Sequence, residues 1–228
     1  MTATALYWII FIGIAIASWA VSYSLNRKIK KYSKEPIRIT GKEVAEKMLR
    51  DSGIYDVQVT CIPGQLTDHY NPLTKTVNLS EGVYNGANIA AAAVAAHECG
   101  HAVQHQEEYA PLKMRSALVP VVSFSSNLVT WVILAGLLMV NRLGTTLLLV
   151  GIGLYAMITL FTLITLPVEV NASQRAVNWL EESGLADRNT REMASDALHA
   201  AAYTYVIAAL SALATLFYYI LIYLGRRD

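Results

Sequence analysis

The chain has 228 residues, of which 54% are hydrophobic and only 15% charged, with a mean hydropathy of +0.38. An average soluble domain carries about 25% charged residues, so this composition excludes a disordered polypeptide and argues against an ordinary soluble enzyme. A formal net charge of +1 gives nucleic acid no electrostatic footing, and two cysteines are too few for a disulfide framework.

The shortage of charge is uneven. No Asp, Glu, Lys or Arg occurs in residues 116–141, 143–168 or 197–225. A bilayer core of about 30 Å needs about 20 apolar residues in a helix. Residues 5–25, 117–140, 143–168 and 201–224 meet that requirement and predict four membrane spans. No basic residue precedes the first span, whereas Arg27, Lys28, Lys30, Lys31 and Lys34 follow it. That asymmetry predicts an uncleaved anchor with its N-terminus outside and residues 26–115 in the cytoplasm.

Residues 36–82 then read as a small mixed α/β unit. Ile37-Arg38-Ile39 is a strand candidate. Thr40-Gly41-Lys42-Glu43 has the spacing of a capping box, Val44, Met48 and Leu49 fall on one helical face, and Gly53 supplies the stop. Residues 57–62 alternate like a half-buried strand, and residues 74–79 form a second whose open edge could bind an extended substrate. Between them lies a polar loop, Leu66-Thr67-Asp68-His69-Tyr70, bounded by the turn signals Pro63-Gly64 and Asn71-Pro72.

Residues 87–108 are Ala-rich and strongly helical, with Asn85 or Gly86 as the expected cap. Within them lies His97-Glu98-Cys99-Gly100-His101, an H-E-x-x-H pattern. Residues i and i+4 share a helical face, so two imidazoles can meet one zinc ion. Glu98 is too far round the helix to be a good ligand, but it can reach a water activated by the metal and act as general base. Gly100 removes a side chain beside the metal, which suits close approach of another element. Cys99 is expected to pack, and both thiols to be free on the reducing side of the membrane.

Catalytic zinc usually has three protein ligands. His105, His69, Glu107, Glu108, Glu169 and His199 are candidates for the third. Glu169 is favoured, because it ends the third span on the side predicted for His97 and His101, and a carboxylate at a membrane boundary is expected to have a partner or a task.

Hairpin spans around Asn141-Arg142 should then return residues 169–196 to the cytoplasm, and the fourth span should leave the C-terminus outside. The basic pair Arg226-Arg227 fits that last placement poorly. The predicted architecture is mainly α and integral to the membrane. It has about four spans (1–25, the 116–168 hairpin, and 197–228) and a small cytosolic zincin-like α/β unit in 26–115, completed by 169–196.

Several stretches resemble the YugP-type neutral zinc metallopeptidases, membrane proteins found in bacteria. They are Leu66-Thr67-Asp68-His69-Tyr70-Asn71-Pro72, Val77-Asn78-Leu79-Ser80, residues 94–104 around H-E-x-x-H, Tyr109-Ala110-Pro111-Leu112, Leu166-Pro167-Val168-Glu169 and residues 201–206. The resemblance implies His97, His101 and Glu169 as ligands of one zinc ion, Glu98 as base, and Asn171, Ser173 and Gln104 as partners of those ligands. It also implies a gluzincin-like metalloendopeptidase of the bacterial plasma membrane, acting on a peptide or membrane-protein substrate.

For the oxyanion donor, Tyr205, Tyr203, His69 and His199 are candidates. Tyr205 ranks first because its segment matches the family. The family more often has Asp at positions 71 and 171, and gluzincins often carry Asp at the position of Ser173. Asn and Ser add no charge there, so zinc should bind more weakly unless Asp196 or Glu192 substitutes. Two other readings are an intramembrane protease of the site-2 type and a zinc-binding scaffold without catalysis.

Overall fold

The computed structural model describes residues 3–226. In chain order the elements are α1 (Ala3–Tyr32), α2 (Gly41–Asp51), β1 (Gln58–Ile62), β2 (His69–Asn71), β3 (Thr76–Ser80), α3 (Glu81–Tyr84), α4 (Ile89–Gln106), α5 (Ala110–Leu138), α6 (Arg142–Glu182) and α7 (Arg188–Leu224). They form two compact units whose pieces alternate along the sequence. One comprises Met1–Trp19, Lys113–Leu166 and Tyr205–Asp228, and the other Ala20–Leu112 and Pro167–Thr204.

Among the described residues, four helices are long and apolar enough to cross a membrane: α1 from Trp8, α5, α6 and α7. The expected spans 143–168 and 201–224 fall within α6 and α7, whereas 5–25 begins three residues before the first candidate span and 117–140 runs two residues past the end of α5; elsewhere the helices outrun the apolar stretches. α6 continues as helix through Pro167 to Glu182, and α7 begins at Arg188. The end of a charge-free run marks a change of preferred solvent, and nothing in it obliges the backbone to stop hydrogen bonding.

In the apolar unit, Val129, Ile133 and Leu148 form a buried cluster, flanked by Tyr155 and Tyr219 in edge-to-face contact. A Cβ on Gly136 would come within 2.7 Å of the Leu148 backbone, so glycine there permits the close approach of α5 and α6. Large apolar side chains such as Trp131 and Phe124 remain exposed, the pattern expected of a helix that crosses a membrane. Arg226 donates to the Gly136 and Leu137 carbonyls at 2.6 and 2.8 Å, capping the C-terminal end of α5. This gives Arg226 a structural partner that charge counting did not foresee. Arg227 lies outside the described residues.

In the other unit, the Thr40–Glu43 capping box forms as expected and starts α2. Val44, Ala45, Met48 and Leu49 on its inner face join Val77, Leu79 and the alanines of α4 in one core. The sheet order is β1-β3-β2, with β3 parallel to β1 and antiparallel to β2. Three expectations are corrected here. Residues 37–39 form no strand; Pro36 makes only an isolated bridge to Asn88. The polar loop contains a strand, β2. Finally, β3 has no open edge, because it is the middle strand and pairs on both sides.

Candidate functional site

α4 carries the H-E-x-x-H residues. Its cap is Asn88, two or three residues nearer the motif than the expected Gly86 or Asn85, and the Asn88 side chain accepts from Ala91 N–H at 2.9 Å. α4 is not among the helices long and apolar enough to span a membrane. Its alanines bury one face against α2 and the sheet, while His97, Glu98 and His101 stand together on another.

α6 passes close to this face. A Cβ on Gly100 would lie 2.8 Å from the Ala172 carbonyl oxygen, so only glycine allows this approach. The approach delivers Glu169, which is 3% exposed, to the two histidines. Glu169 Oε2 lies 3.3 Å from His97 Nε2 and 3.5 Å from His101 Nε2, and one ligand atom from each residue falls within a 4.8 Å cluster.

These separations suit a shared cation. Direct charge-assisted hydrogen bonds are normally about 2.7–2.9 Å. Two donors each about 2.0–2.1 Å from one tetrahedral zinc stand about 3.3–3.4 Å apart. The local field agrees. Burial alone would push His101 down, but the Glu169 hydrogen bond and the charges of Glu98 and Glu169 hold it above the ordinary histidine range. A pocket that stabilises positive charge on an imidazole is suited to a metal cation.

Each histidine is oriented through its far nitrogen. Gln104, fully buried, donates Nε2–H to the Val168 carbonyl at 2.8 Å and to Asn171 Oδ1 at 2.9 Å. Its amide can therefore present only Oε1 to His101 Nδ1, at 3.0 Å, so in the neutral imidazole that a metal requires Nδ1 carries the proton and Nε2 keeps its lone pair. Ser173 Oγ meets His97 Nδ1 at 3.1 Å. Asn171 Oδ1 also accepts from Arg175 Nε at 2.8 Å, and Arg175 pairs with Glu107. Asn71 has a different task, accepting from Leu73 and Thr74 N–H within a turn. Neither Asp196 nor Glu192 replaces an acid at position 173. Asp196 is taken by Lys28 and Tyr32, and Glu192 faces Arg188.

Glu98 is 8% exposed, and its Oε2 accepts from the Tyr70 backbone N–H at 3.0 Å. Sequence reasoning missed Tyr70, because a backbone donor leaves no mark on residue type. Tyr70 also reaches His105 Nδ1 through its hydroxyl at 3.1 Å. His69 is not brought to the cluster. Its Nδ1 donates to the Thr67 carbonyl, and its Nε2 accepts from Asn78 in a polar row with Thr60 across the sheet. Period-two alternation places His69 and Tyr70 on opposite faces of β2. His199 contacts Ser195 at 3.4 Å and shares a cavity of about 160 Å³ with Ser173. Tyr203 is exposed on α7, and Tyr205 belongs to the other unit.

A family model described as "Putative neutral zinc metallopeptidase" matches residues 7–224. The chain is 42% identical over 227 residues to "Putative membrane protease YugP" of Bacillus subtilis (strain 168), covering 96% of this chain and 99% of that relative. No solved structure matches it.

Proposed function

This chain belongs to the "Putative neutral zinc metallopeptidase" family, and on that premise we propose that it hydrolyses peptide bonds at the cytosolic face of a bacterial plasma membrane. The observation that carries this reading is the convergence of His97, His101 and Glu169 donors within 4.8 Å, beside a nearly buried Glu98. We assign the three as ligands of one zinc ion. When bound, zinc would polarise the scissile carbonyl and make water acidic enough to attack near neutral pH.

The chain's own residues supply the rest. Glu98 is held by Tyr70 N–H through Oε2, and Oε1 has no hydrogen-bond partner among the described residues. Oε1 can thus take the proton of the attacking water and return it to the leaving amine as the C–N bond breaks. Gln104 and Ser173 keep the two imidazoles aimed at one point. The oxyanion requires a further donor, and Tyr205 is our choice from the sequence resemblance. The cytosolic assignment rests on the basic stretch that follows the first span.

The test is hydrolysis of an unstructured protein such as casein by the purified full chain in detergent. Activity should disappear with a chelator and return with zinc. Zinc binding without hydrolysis of any polypeptide would favour a scaffold.

A further inference from the structure

The outward face of α4 continues past the catalytic residues in both directions. Val94 lies one turn before Glu98 and about 40° from it round the helix, His105 lies two turns after it and about 20° away, and Ala90, two turns before and about 80° away, is buried beneath that face. A cavity adjoins each end. The one toward the N-terminus of α4 has a volume of about 310 Å³ and is walled by Val94 and Ala90, by Asp68 and Ser80 of the sheet side, and by the last turns of α1. The one toward the C-terminus has about 290 Å³ and is walled by Tyr70, His105, Lys75 and Asp56.

The two ends differ in charge. At the C-terminal end, Lys75 is paired with Asp56. At the other end, Asn26, Ile29 and Lys30 present one face of α1 to the cavity, with Ser33 just past its end, and Lys30 forms no ion pair among the described residues. Arg27, Lys31 and Lys34 surround it in sequence. Asp68, the acid in that wall, is turned to Ser80 and accepts from its N–H at 2.7 Å and its hydroxyl at 3.0 Å. Leu66, 65% exposed and held at φ 57°, lines the same cavity and offers an apolar contact beside the cation.

We propose that this cavity is a specificity subsite in which Lys30 receives an acidic side chain of an extended polypeptide substrate. This rests on the peptidase reading and names the substrate feature that the site selects. Ala90 and Val94 are about 12 and 6 Å from Glu98 along the helix. An extended chain advances about 3.3 Å per residue, so the acidic residue sits about two to four positions from the scissile bond.

The experiment measures binding, so it does not depend on turnover. Zinc-loaded Glu98→Gln full chain in neutral detergent is titrated with labelled extended peptides. The peptides carry Glu, Gln or Lys two to four residues to either side of their centre. The Glu peptides should bind about two- to fivefold more tightly than the Lys peptides, the range of an exposed ion pair. Lys30→Gln should remove the preference and Lys30→Glu should invert it, both with unchanged zinc content. Equal affinities, a preference untouched by Lys30→Glu, or no peptide binding would overturn the proposal. So would displacement of the Glu peptide by an anionic lipid added to the micelles, which would assign Lys30 to headgroups. Peptide binding with the predicted preference, but without hydrolysis by the wild-type chain, would instead overturn the peptidase reading alone.

Discussion

Gln104 Oε1 accepts a hydrogen bond from His101 Nδ1 at 3.0 Å, and because both amide protons are committed to α6, the amide cannot turn round. One buried side chain thereby fixes the tautomer of a histidine on α4 and ties it to the helix that brings Glu169. Gln104→Leu should lower zinc affinity about 10- to 100-fold, the usual loss when the partner of a metal-ligating histidine is removed. Competition with a chromogenic chelator measures it; unchanged affinity would show that the imidazole needs no such restraint.

Ser173 occupies the corresponding place for His97, at 3.1 Å from Nδ1. A carboxylate there would accept the same proton and add charge. Ser173→Asp should therefore bind zinc more tightly than the native chain, and Ser173→Ala more weakly, in the same chelator assay. Asn171→Asp should behave differently. Asn171 Oδ1 already accepts from Gln104 and Arg175, so the added charge would be met largely by Arg175.

At position 100, helix propensity and packing oppose each other. Alanine would favour α4 by about 1 kcal/mol. Its Cβ would stand 2.8 Å from a backbone oxygen of α6, and overpacking of this kind costs about 1–3 kcal/mol. Gly100→Ala should consequently lose zinc while keeping its helical circular dichroism. Full zinc occupancy in metal analysis would mean that α6 yields without disturbing Glu169.

The local features of this unit are legible in the sequence, and its non-local ones are not. The Thr40–Glu43 box and the i, i+4 histidines are fixed by spacing along one helix, so residue types suffice to find them. β2 is only three residues long and is a strand by virtue of pairing with β3, so no periodicity could announce it. The central position of β3 depends on which strands flank it. His69 and Tyr70 are neighbours of similar chemical promise, but it is the Tyr70 backbone N–H that meets Glu98, which residue type does not encode, and the pleat that sends the His69 side chain to the row with Asn78. The partners of Asp196, on α1, could not be read because α1 and α7 lie far apart in sequence.

The two cysteines should differ sharply in reactivity. Cys61 is exposed, whereas burial, followed by the nearby Glu98 charge, pushes the Cys99 thiol far above its ordinary value. The folded state thus favours protonated Cys99, which contributes stability below the unfolded thiol pKa of about 8.5 that is lost as pH rises beyond it. At pH 8, iodoacetamide should label Cys61 alone in the native chain and both residues after denaturation. Native labelling of Cys99 would contradict the packing of α4 on α2.

The most direct test of the central claim is the rate of polypeptide hydrolysis by zinc-loaded Glu98→Gln relative to the native chain. Glutamine can still accept from Tyr70 N–H but cannot take a proton from water. The variant should keep one zinc per chain and lose at least about 10²-fold in rate, the usual contribution of a positioned general base. Undiminished hydrolysis at full zinc occupancy would contradict the assignment of Glu98 and the mechanism built on it.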